Sequence, residues 1–109
     1  MTFEEYQAQA GETAIYPNKG ENPVYPTLGL TGEAGEVAEK MKKIIRDKGG
    51  VLDETSKQEI AKELGDVLWY VAALSSELKI PMDTIAQMNI EKLRSRKDRG
   101  QIHGGGDNR

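Results

Sequence analysis

Residues 55–79 read TSKQEIAKELGDVLWYVAALSSELK. Within them Ile60, Leu64, Val67, Val71, Leu74 and Leu78 recur at three- and four-residue steps, the period of a helix with one apolar stripe. Thr55 or Ser56 is placed to cap this helix, and Glu59 stands three residues after Ser56, the spacing of a capping box. Trp69 falls near the back of the wheel, opposite the stripe, and Leu68, Ala72 and Ala73 widen the apolar arc. A helix that is apolar nearly all round is buried on two sides, so the second side is expected to pack against another subunit.

Working outward, Leu30, Ala34, Val37, Met41 and Ile44 predict a second long helix over about 27–47. Lys40, Lys42, Lys43 and Arg46 gather toward its C-terminal end, as the helix dipole favours, and Gly49-Gly50 stops it. Pro81 opens a further helix to about Lys97, with Met82, Ile85, Ala86, Ile90 and Leu93 as its apolar residues. A short leading helix over 2–10 has Thr2 as cap and Glu4 and Glu5 in its first turn. Pro17, Gly20, Pro23 and Pro26 make residues 16–26 a loop. No segment alternates as a strand does. The expected architecture is all-α: a helical bundle of one short and three main helices, completed by oligomerisation. Residues 1–99 form the domain and 100–109 a glycine-rich tail.

The chain has 109 residues, one domain's worth. It has no cysteine and one histidine, His103, which excludes thiolate chemistry, zinc–cysteine sites and a multi-histidine metal site within one chain. A net charge of -3 lacks the basic excess of a nucleic-acid binder, so no nucleic-acid partner is expected. No apolar run approaches the roughly 20 residues of a membrane span. Residues 1–5 have no signal-peptide pattern, and the expected location is the cytoplasm. Any chemistry must come from carboxylates, Lys, Arg and Tyr, with a hard metal as the natural complement.

The acids are organised. Glu33-Ala34-Gly35-Glu36-Val37 and Glu63-Leu64-Gly65-Asp66-Val67 repeat one pattern thirty positions apart. At roughly 100° per residue, Glu33 and Glu63 fall about 60° from their apolar stripes, and Glu36 and Asp66 about 120°, all to the same side. Antiparallel packing of the stripes brings four carboxylates toward one edge. Like charges so close oppose folding, and a divalent cation offsets that cost. An all-oxygen set selects Mg²⁺, with Mn²⁺ as the alternative, and Mg²⁺ commonly takes substrate phosphates as further ligands. Acid pairs at this spacing are common on solvated helix faces. The matched flanks and the mid-helix glycines, each costing about 1 kcal/mol against alanine, argue for a spatial requirement such as close helix approach.

These residues resemble the MazG-like nucleotide pyrophosphohydrolases of the all-α nucleoside-triphosphate pyrophosphatase superfamily. The signature E-x-x-E, spacer, E-x-x-D stands here as Glu33-x-x-Glu36, 26 residues, then Glu63-x-x-Asp66. Leu28-Gly29-Leu30-Thr31-Gly32 leads into the first motif, Val67-Leu68-Trp69-Tyr70 follows the second, and Asn89 to Leu93 with Arg96 resembles a third, weaker element. The resemblance implies Mg²⁺-dependent hydrolysis of nucleoside triphosphates to monophosphate and pyrophosphate. It implies Glu33, Glu36, Glu63 and Asp66 as metal ligands and a homodimer or homotetramer with sites near subunit contacts. Glu36 is the first choice for general base, and Glu63 is grouped with it as catalytic. A nucleotide- or metal-binding regulatory module of the same fold with little turnover is the alternative.

Tyr70, one turn after Asp66, is placed to donate to a phosphate or carboxylate. Asn89, Lys92 and Arg96 share one face of the last helix, suited to gripping a triphosphate, the arginine by bidentate contacts. Tyr6, Tyr25 and Trp69 are candidates for base stacking, with structural burial the plainer role for each.

Overall fold

A computed structural model describes all 109 residues. Four helices follow one another with no strand: α1 (Phe3–Glu12), α2 (Val24–Lys48), α3 (Glu54–Glu77) and α4 (Met82–Asp98). The all-α expectation holds. No helix is long and apolar enough to cross a membrane.

The helix boundaries show which local signals won. At α1, Thr2 Oγ1 accepts the Glu5 amide (3.1 Å) while the Thr2 amide donates to Glu5 Oε1 (3.2 Å), closing a capping box. α2 begins at Val24, earlier than the proline-rich stretch suggested. Pro26 sits in the first turn, where its missing N–H has no intrahelical acceptor to lose. Asn22 Oδ1 accepts the Tyr25 amide at 3.1 Å and serves the helix start. α2 ends on Gly49 in the left-handed region (φ +59°), whose amide donates to Ile44 O. α3 is capped by Asp53, whose Oδ1 accepts the Ser56 amide at 2.7 Å, rather than by Thr55 or Ser56. Ser56 is instead fully buried inside the first turn, accepting from Lys48 Nζ at 3.0 Å.

The connection between α2 and α3 spans only residues 49–53, which folds the two helices into an antiparallel hairpin. α1 packs on α3, and α4 meets α1 and α3 but makes no contact with α2. Ala10, Ala72 and Met82 form the innermost cluster, flanked by Tyr6, Trp69 and Val71. The expected stripe on α3 is therefore shifted. Leu64 and Leu78 are about half exposed, while Ala72 and Ala73 are buried, because their small side chains let α1 and α4 approach. Trp69, expected to face another subunit, turns to α1, and its Nε1 donates to Thr13 Oγ1 at 2.9 Å.

One carboxylate organises the loop between α1 and α2. Glu77, at the end of α3, accepts the Gly20 amide (2.8 Å), the Asn22 amide (3.0 Å) and the Tyr16 hydroxyl. Tyr16 in turn stacks on Tyr25, with centroids 4.9 Å apart and planes 3° from parallel. The Tyr16 hydrogen bond and the loop amides hold the Glu77 carboxyl below its ordinary value. Burial, followed by the Glu77 hydrogen bond, pushes the Tyr16 phenol up to about 12. The latch therefore contributes fully above the ordinary glutamate pKa of about 4.3, and fades as pH falls through the depressed folded value. On the alkaline side Tyr16 contributes below about pH 10 and fades as pH rises through about 12. We expect the Gly20 and Asn22 amides to lose hydrogen-exchange protection on acidification, and Glu77→Gln to abolish that acid dependence. Equal acid sensitivity in Glu77→Gln would show that another group controls the loop.

Candidate metal centre

The hairpin brings carboxylates of α2 and α3 to one edge. Ligand oxygens of Glu33, Glu63 and Asp66 all lie within 4.8 Å of one another, with Glu33 and Glu63 half-buried and Asp66 exposed. Opposite ligands of a Mg²⁺ octahedron stand about 4.2 Å apart, so small side-chain rotations bring this set to ligation distance. None of the three acids forms an ion pair with a lysine or arginine. Glu36 is exposed and lies outside the triad.

The field of the acids shows in their neighbours. Burial, followed by Asp66, Glu63 and Glu36, raises the Glu33 carboxyl above the ordinary range. Burial and then Asp66 raise the Tyr6 phenol. Burial, then Tyr25, Glu33 and Asp66, raise that of Tyr70. Both phenols therefore stay protonated and able to donate near neutral pH. Tyr70 and Trp69 meet edge-on, 5.0 Å between centroids, and with Thr13, Glu33 and Asp66 they line an open cleft of about 360 Å³. Thr13 had no signal in the sequence. It enters because α1 ends against Trp69.

The close helix approach lies elsewhere than the two motif glycines. A Cβ at Gly35 or Gly65 would meet nothing within 4 Å. At Gly29 it would fall inside the Tyr70 ring, against Cδ1, Cε1 and Cζ. Gly29 is thus the residue that lets the Tyr70 ring pack against α2.

The last helix is not brought to this cleft by its own chain. Beyond Ala86 every residue of α4 except Arg96 is exposed, including Asn89 and Lys92. Arg96 is buried by the tail: its Nη2 donates to the Asp107 carbonyl at 2.5 Å and lies 3.9 Å from Asp107 Oδ1. Arg109 closes the same turn by donating to the carbonyls of Gln101, Ile102 and Gly106 at 2.7–2.9 Å.

The helical hairpin gathers Glu33 of E-x-x-E and both acids of E-x-x-D beside an aromatic cleft. The MazG nucleotide pyrophosphohydrolase domain model matches residues 25–100, and the chain belongs to that family. It is also 51% identical over 114 residues to the Gene 37 protein of Mycobacterium phage L5, with both chains fully covered. No solved structure matches the chain significantly.

Proposed function

We propose that this chain hydrolyses nucleoside triphosphates between the α and β phosphates, releasing a monophosphate and pyrophosphate, in a nucleotide-pool house-cleaning role. The convergence of Glu33, Glu63 and Asp66, free of any cationic partner, is the observation that carries the reading. These three would hold Mg²⁺, or Mn²⁺ in its place. Such an ion, when bound, polarises phosphoryl oxygens and acidifies water.

The chain's own groups supply the rest. Glu36, the signature carboxylate left outside the triad, is assigned as the base that takes the water's proton. The water oxygen then bonds to the α phosphorus. The bond from that phosphorus to the bridging oxygen breaks, and pyrophosphate leaves with the electron pair. Tyr70, kept protonated, donates to a phosphate oxygen. Trp69 lines the cleft and is assigned to border the nucleoside.

Asn89 and Lys92 are assigned to the triphosphate at a site of a neighbouring subunit, since this chain's α4 makes no contact with α2; Arg96 joins them only once the tail releases it from the Asp107 carbonyl. A homodimer or homotetramer also suits the thin core. Only eleven of 109 residues are buried, while Leu28, Ile45, Leu64 and Met88 are each more than half exposed.

The test is a panel of canonical and modified ribo- and deoxyribonucleoside triphosphates with Mg²⁺. Pyrophosphate and orthophosphate are measured separately. Pyrophosphate is expected as the first product. Orthophosphate first would refute the bond assignment, and no turnover of any nucleotide would leave the binding-module alternative.

A further inference from the structure

The flank of α2 that carries Glu33 continues past the acids. Lys40 follows Glu33 by seven residues, which on an α-helix is a rotation of only about 20° and an advance of about 10 Å. Lys43 stands in the same relation to Glu36. Both lysines, with Asp47 and Lys48, line a small cavity of about 100 Å³ at the hairpin end of the α2–α3 seam, opposite Ser56 and Glu59 of α3.

The cations of this segment differ in what holds them. Lys42 pairs with Glu39 (3.0 Å), and Arg46 with Asp47 (2.7 Å). Lys48 is held by Asp53 (3.4 Å) and Ser56. Lys40 and Lys43 form no ion pair, although Lys40 is half-buried. Lys40 and Lys43 thus stand on the flank of Glu33 and Glu36, about two helical turns further along the seam.

The seam therefore has a polarity: Trp69 and Tyr70 on one side of the acids, two unpaired lysines on the other. We infer that Lys40 and Lys43 form the subsite for the β and γ phosphates and for the pyrophosphate that leaves, so that the nucleoside lies toward Trp69 and Tyr70. This inference rests on the pyrophosphohydrolase reading. It adds a direction to the bound triphosphate and two residues of this chain that the acid signature does not contain. An ammonium–phosphate contact is a charge-assisted hydrogen bond. A tenfold loss of affinity corresponds to about 1.4 kcal/mol, the scale expected for one such contact.

The experiment is titration calorimetry of inorganic pyrophosphate, with Mg²⁺ present, into the full chain and into Lys40→Met, Lys43→Met and the double variant. It is paired with product-inhibition constants for pyrophosphate and for the nucleoside monophosphate. Each single variant should bind pyrophosphate about tenfold more weakly, and the double variant more weakly still. Monophosphate inhibition should not change, and Lys40→Arg should recover most of the loss. An active enzyme whose double variant binds pyrophosphate as the natural chain does overturns the lysine subsite alone. Equal weakening of monophosphate and pyrophosphate overturns the stated direction. A natural chain that neither turns over nucleotides nor binds pyrophosphate overturns this inference together with the reading beneath it.

Discussion

Asp66→Asn and Glu63→Gln should each lower pyrophosphate release by on the order of 10³-fold, while the helical circular-dichroism signal is retained. Both substitutions keep the shape of the side chain and remove a charge from a set whose oxygens lie within 4.8 Å. Their effect on stability has the opposite sign to the usual loss of a buried contact. Glu33 has its carboxyl raised by burial and then by its acidic neighbours. A carboxyl raised on folding opposes the folded state above its ordinary pKa, and protonation relieves the opposition as pH falls. In chelator, the natural chain should therefore gain stability through this group as pH falls from neutral through the raised Glu33 value toward the ordinary carboxylate range, and Asp66→Asn should melt no lower than the natural chain at neutral pH. With Mg²⁺ added, the natural chain should gain melting temperature and Asp66→Asn should gain little. Retained turnover in either variant would remove that residue from the essential set. An Asp66→Asn chain that responds to Mg²⁺ as the natural one does would place the ion elsewhere.

The second large effect is expected at Gly29. Alanine there pushes a methyl group into the Tyr70 ring, and overpacking of this kind costs about 1–3 kcal/mol. Helix propensity returns up to about 1 kcal/mol, so the steric term wins and Gly29→Ala should unfold at lower denaturant. The ring displaced is a wall of the cleft, so turnover should fall as well. Gly35→Ala is the matched control. Nothing in the chain lies within 4 Å of a Cβ there, and the same propensity gain is unopposed. Gly29→Ala with unaltered stability and turnover would refute the close approach. Destabilisation by Gly35→Ala would reveal a second copy packed on that face.

Much of this was legible because it is local. The apolar periods predict the three long helices, and Thr2 is legible as the residue that caps α1. The flank of Glu33 and Glu63 follows from a wheel and one assumption, antiparallel packing, which the five residues between α2 and α3 enforce. The misreadings come from competition among near-equal signals or from contacts distant in sequence. Asp53, Thr55 and Ser56 are all good caps, and only the path of the hairpin turn chooses Asp53. Two prolines hid the first turn of α2, although a helix start tolerates proline. Ala72 and Ala73 widen the arc expected to meet another subunit, yet within the chain they are the small residues that α1 and α4 require for close approach. Gly29 reads only as part of the lead into the first motif, with no close approach assigned to it, because its reason, a ring 41 positions away, is not local. Nothing periodic in α4 could show that Asp107 would cover Arg96.

The five-residue connection has a consequence for how the protein is made. Every acid of the triad lies on one helical hairpin, and the two halves meet by zipping outward from a tight turn, without waiting for either chain end. Contacts close in sequence form early and at small entropic cost. The carboxylates are therefore expected to face one another during folding before α1 closes over Trp69 and before α4 and its tail find their places. The charge repulsion of the site is then met first by the least supported intermediate, the point at which a divalent ion in the surroundings would favour the hairpin most.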